Sequence, residues 1–179
     1  MVVLLVQISS NNTKQVTMTE QVSSMFDTIL VLDFGSQYSH LITRRLREFN
    51  IYAEMLPCTQ KIYELSWKPA GVILSGGPYS VYEAGSPHVD HAIFDLNVPI
   101  LGICYGLQEL AWIDGNHVGR GDKREYGPAT LEVVDKQTPL FKGIDQSRVW
   151  MSHGDKLHGL PKDYEIIATS ENSPYCGIG

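Results

Sequence analysis

The chain has 179 residues, enough for one domain of ordinary size and too few for two large ones. Its 20 acidic residues outnumber 14 basic ones and leave a net charge of -6. That balance argues against nucleic acid or an anionic membrane surface as partner and leaves small molecules and proteins. Three widely spaced cysteines, Cys58, Cys104 and Cys176, with no C-x-x-C pair, argue against a disulfide framework or zinc ribbon and for a reducing cytosol.

In chain order, residues 1–25 open with a short apolar run and continue in Ser, Asn, Thr and Gln without a sustained apolar period, so they are expected to form a disordered leader. The run lacks the basic flank and cleavage site of a signal peptide, and no later segment approaches the roughly 18 uninterrupted apolar residues of a spanning helix. The domain is expected over 26–179. Strand-like runs alternate there with helical ones: Thr28 to Leu32, a helix around Ser39 to Phe49, Ile51 to Leu56, Gly71 to Leu74, a helix around Pro87 to Leu96, Val98 to Ile103, and a helix from Tyr105 to about Ile113. Three of the strands are apolar without alternation, as strands covered on both faces must be, which predicts a doubly wound, mostly parallel α/β sheet. Beyond Gly115 the pieces shorten to Ala129–Val134, Val149–Met151 and Glu165–Ala168, and a small antiparallel addition is expected.

Gly102-Ile103-Cys104-Tyr105-Gly106 stands where a buried strand turns into a helix, the layout of a nucleophile elbow with cysteine in place of serine. The flanking glycines let strand and helix approach, and the helix start is expected to favour thiolate over thiol at Cys104. A buried structural cysteine fits the same five residues. Leu74-Ser75-Gly76-Gly77-Pro78 follows another buried strand, and its amides suit an oxyanion or a plain turn. Trp150-Met151-Ser152-His153-Gly154-Asp155 reads as a strand ending in a polar turn, with His153 a structural loop histidine. His88 and His91, three apart on the expected helix, have metal-ligand spacing without a third ligand, so no metal site is assigned. Arg44, Arg45 and Arg47 read as a solvated helix face.

Together with Leu30-Val31-Leu32-Asp33-Phe34-Gly35-Ser36-Gln37-Tyr38, Leu41-Ile42-Thr43-Arg44-Arg45, Lys123-Arg124-Glu125-Tyr126-Gly127-Pro128 and Val149 to Lys156, these motifs resemble the class I, or triad, glutamine amidotransferases. The resemblance runs from about Phe26 to Ile178. It implies a flavodoxin-like core, L-glutamine as substrate, and Cys104 as the nucleophile that attacks its side-chain amide. It further implies an oxyanion hole from the backbone N–H groups of Gly77 and Tyr105, and glutamine binding by Gln108, Tyr79, Ser152, Gly154 and Asp155. Ammonia would pass to an ATP-pyrophosphatase (synthetase) domain, where ATP and magnesium act. This chain carries no Gly-rich nucleotide loop beyond Gly77, and no cofactor of its own is expected.

The family's general base is a histidine in a His-Pro-Glu segment downstream of Cys-Gly-Ile. None of His40, His88, His91, His117, His153 or His158 is followed by proline and glutamate. The expectation is a domain incomplete at its C-terminal end, with a prepared nucleophile that turns over poorly. Two other readings stay open: a non-enzymatic glutamine-binding or regulatory module, and a cysteine hydrolase or redox sensor on a similar sheet.

Overall fold

The computed structural model describes residues 4–7, 27–115 and 117–179. Among the described residues nine strands form one sheet: β1 (Leu4–Gln7), β2 (Thr28–Asp33), β3 (Tyr52–Pro57), β4 (Gly71–Leu74), β5 (Ile100–Ile103), β6 (Val118–Val133), β7 (Gln146–Leu157), β8 (Ile166–Ser170) and β9 (Gly177–Ile178), in the spatial order β3-β2-β4-β5-β1-β9-β8-β6-β7. The pairs β2/β3, β2/β4 and β4/β5 are parallel, and β6 runs antiparallel to both β7 and β8. The order of the first four parallel strands is that of a flavodoxin-like sheet.

Two α-helices of the described residues cover opposite faces: α1 (Ser39–Glu48) and α2 (Tyr105–Ile113). Successive residues of β2 divide between them. Leu30 and Leu32 are fully buried with Leu107 and Leu110 of α2, whereas Val31 packs with Ala53 and Ile73 against Ile42 and Leu46 of α1. That division explains the unbroken apolar runs, because neither face of the strand meets water. Each fully buried aliphatic side chain contributes about 2 kcal/mol by leaving water. A smaller core of Leu131, Phe141, Met151, Ile167 and Cys176 lies under the β6–β7–β8 portion.

Three expectations are corrected. Leu4–Gln7, assigned to a disordered leader, pairs antiparallel with β5 and parallel with β9, because an apolar Leu-Leu-Val run gains a ladder on both edges. The rest of residues 1–25 lies outside the described residues. The expected helix from Pro87 to Leu96 is only a 3-10 turn over His91–Leu96: Asp90 is extended, its side chain accepts from Ala92 N, and Asn97 ends the turn in the left-handed region. Two of the short pieces expected after Gly115, Ala129–Val134 and Val149–Met151, are instead parts of a long hairpin, with 16 residues in β6 and 12 in β7, while the third is the short strand β8. Ser152–Asp155 therefore lies within a strand and not in a terminal turn. The register shifts between Arg120 and Glu125, which face Asp155 and His153, so four β6 residues bulge out opposite Gly154.

Candidate active site

Cys104 joins β5 to α2 with φ 56° and ψ -107°, a backbone conformation that a side chain bearing a Cβ seldom adopts. The elbow persists because strand and helix are clamped from both sides by glycine. A Cβ on Gly102 would stand 2.6 Å from Leu107 N, and one on Gly106 would collide with Leu74 O. The helix then runs over a neighbouring strand end, with Gly106 N donating to Ser75 O at 3.0 Å.

The turns after β2 and β4 are tied together beside it. Asp33 Oδ1 accepts from Gly35 N (2.9 Å) and Ser39 Oγ (2.6 Å), and Ser75 Oγ accepts from Phe34 N at 3.1 Å. Gly77 passes so close to Phe34 that a Cβ would lie 2.8 Å from its carbonyl oxygen. These carboxyl-terminal strand ends and β7 enclose a cavity of about 940 Å³. Among its lining residues are Gly77, Tyr79, Cys104, Gln108, Ser152, Gly154 and Asp155. All the residues that the resemblance assigns to the site thus line one space except Tyr105. The Tyr105 ring is fully buried, 4.8 Å from Phe34, its hydroxyl donates to Pro87 O, and its backbone N–H addresses the Cys104 sulfur.

Electrostatics correct one expectation. Burial pushes the Cys104 thiol up to about 11, and the hydrogen bond from the Tyr105 backbone N–H recovers only part of that shift. A helix start favours the anion locally, but removing the sulfur from water disfavours it more, so the thiol and not the thiolate prevails at neutral pH.

Residues 30–179 match the family described as Glutamine amidotransferase class-I. The chain belongs to that family. It is 82% identical over 159 residues to the GMP synthase [glutamine-hydrolyzing] of Saccharomyces cerevisiae, a match covering 89% of this chain and 30% of that protein. The protein of the same name from Phaeosphaeria nodorum is 62% identical over 86% of this chain and 29% of its own length. The chain thus spans under a third of these relatives. A crystal structure from Thermoplasma acidophilum superposes with a TM-score of 0.73 at 33% identity, covering 83% of this chain and 75% of that one. A glutamine amidotransferase from Thermotoga maritima shares the fold, with a TM-score of 0.63 at 24% identity and coverage of 85% and 73%.

Within this amidotransferase domain, the structure adds side chains that sequence reasoning passed over. Ser80 Oγ and Tyr82 OH donate to the two carboxylate oxygens of Asp155, at 2.6 and 2.9 Å, and Gln108 Nε2 donates to Asp155 O at 3.3 Å. Glu109, fully buried one residue beyond Gln108, accepts from Val89 N at 3.0 Å and lies 2.9 Å from His88 Nδ1. His88 is thus engaged by a carboxylate, and His91 sits edge-on to Phe94 in the 3-10 turn, which dissolves the helical spacing that suggested a metal. Arg44 and Arg45 meet Glu48 on an exposed helix face, and Arg47 donates to Ala53 O. No local pattern announces Ser80 or Tyr82; their partner is more than 70 residues away.

Proposed function

We propose that this chain is the glutamine-handling portion of a GMP synthase, supplying ammonia for the ATP-dependent conversion of XMP to GMP in purine biosynthesis. The observation that carries this reading is a strained cysteine elbow opening on a cavity that also holds Gly77, Gln108 and Asp155. In that role the Cys104 sulfur bonds to the side-chain amide carbon of glutamine, and the oxygen's developing charge is met by the N–H groups of Gly77 and Tyr105. Collapse breaks the carbon–nitrogen bond and expels ammonia, which carries off the thiol's proton, and water then cleaves the thioester to glutamate and the free thiol. Gln108, Tyr79, Ser152, Gly154 and Asp155 hold the amino-acid end. In this reading the ammonia passes to an ATP-pyrophosphatase unit that works with ATP and magnesium; the chain itself matches 30% of the yeast relative's length. A cytosolic setting fits the buried cysteine thiols, and among the described residues no helix is long and apolar enough to cross a membrane.

The test uses a glutamine-analogue electrophile and glutamate release, comparing the chain with Cys104→Ala. A single adduct on Cys104, suppressed by glutamine, is expected, with glutamate release slow in the chain and lower still in the variant. Labelling that glutamine leaves untouched would sink the reading. One observation favours a second reading: a thiol held protonated to about 11 suits a glutamine-binding module that does not turn over. Protection by glutamine, with glutamate release equally low in both proteins, would select that module.

A further inference from the structure

Residues 75–90 contain no helix or strand, yet they are fastened at several points. Val89 N bonds the buried Glu109, Pro87 O accepts from Tyr105 OH, and Ser86 Oγ donates to Ser80 O at 2.5 Å. The loop is therefore anchored on α2, the nucleophile's own helix. From this anchored loop Ser80 and Tyr82, which also line the cavity, hydrogen-bond Asp155 on β7. Loss of water is the main reason the Tyr82 phenol is raised above its ordinary value, and the adjoining carboxylate adds to it, so Tyr82 remains a donor over the whole neutral range.

A carboxylate has about four lone-pair positions, and two hydroxyl donors leave room for further donors while fixing its rotation. Both hydroxyls come from the same loop, so they fix the remaining positions relative to Cys104. The geometry points to Ser80 and Tyr82 as positioning residues that aim the Asp155 carboxylate at the α-ammonium of the substrate, and so select an amino acid over an amide lacking that ammonium. This inference rests on the glutamine reading and deepens it. Neither hydroxyl touches the reacting amide. Their effect is a specificity for the far end of the substrate, 73 and 75 residues in sequence from the carboxylate they hold.

The test measures alkylation of Cys104 by iodoacetamide, followed by mass spectrometry on the full chain, and its suppression by L-glutamine or by glutaramate, which is glutamine without its α-amino group. The readout is the ratio of the two half-protecting concentrations. Tyr82→Phe and Ser80→Ala should each reduce the preference for glutamine over glutaramate by about tenfold, the loss of one hydrogen bond to a charged group. Ser80→Thr, which keeps a hydroxyl, should restore it. A preference that stays at the wild-type value overturns the proposal, and so does a parallel loss of protection by both compounds, the mark of a merely structural loop. If glutamine fails to protect the wild-type chain, the glutamine reading itself falls, and that outcome is distinct from a failure of the variants alone.

Discussion

On β5 and α2 Cys104 is held by backbone that has no room to yield: it sits at φ 56° between Gly102 and Gly106, each in contact with the main chain of another element. On β7 the opposite wall of the cavity is held by side chains. Asp155 is fixed by two hydroxyls and by the Gln108 amide, while its strand pairs with β6 through a bulge. The parallel half thus stakes the fold and the Cys104 elbow on the same atoms, whereas in the hairpin half the cavity wall is held apart from the core. Substitutions on the two sides should therefore fail in different ways.

The largest effect is expected from Gly106→Ala. Its new methyl must displace Leu74 main-chain atoms in a strand buried on both faces, at a cost of about 3 kcal/mol or more. A lower urea midpoint at unchanged slope would register it. A shift worth under about 1 kcal/mol would mean that the elbow has slack and that the contrast between the halves is overstated.

Next comes the pH dependence of Cys104 itself. The reactive form is the thiolate, and burial raises the thiol to about 11, so alkylation should climb about tenfold per pH unit from neutrality and level off only near that value. The sign for stability follows from the same shift. A group that binds its proton more tightly when folded stabilises the fold below its unfolded value and loses that contribution as pH rises toward 11. A rate that levels off near pH 7 would show that the helix start outweighs burial.

How much of this was legible in the sequence follows the same divide. The α2 helix, Tyr105–Ile113, and the apolar β4, Gly71–Leu74, stand where their local patterns place them, and the elbow at Cys104 is a five-residue signal. What escaped depends on partners distant in sequence. The helix expected at Pro87 to Leu96 gives way to a 3-10 turn because Asp90 is extended and takes the Ala92 N–H with its own side chain, while Val89 N reaches to Glu109, twenty residues on. Strand β6 runs through Gly119, Gly121, Gly127 and Pro128, which read as breaks, because pairing with β7 supplies order that the local composition does not. The thiolate expected at Cys104 failed for a related reason: helix polarity is visible in five residues, but desolvation is set by the whole core.

Glu109→Ala probes the joint between the two modes, since Glu109 belongs to α2 but holds the loop that carries Ser80 and Tyr82. Removing it strands the buried Val89 N–H and should cost about 2 kcal/mol. Glu109→Gln, which keeps one acceptor, should cost less. Equal costs would show that the carboxylate's charge, and not its geometry, fixes the loop.

The smallest effect is expected from Gly127→Ala in β6. Gly127 has φ 135°, so any side chain strains the backbone, but a methyl there meets nothing within 4 Å. The cost is therefore strain alone, about 1 kcal/mol. Gly127 faces Met151 across the ladder, just before the Ser152–Asp155 stretch that lines the cavity. If the hairpin separates binding from stability, this variant melts slightly earlier while glutamine protects Cys104 at the same concentration as in the unaltered chain. A protection constant that moves together with the melting temperature would break the comparison, because strain in β6 would then be reaching Asp155 along the strand in spite of the hydroxyls that hold it.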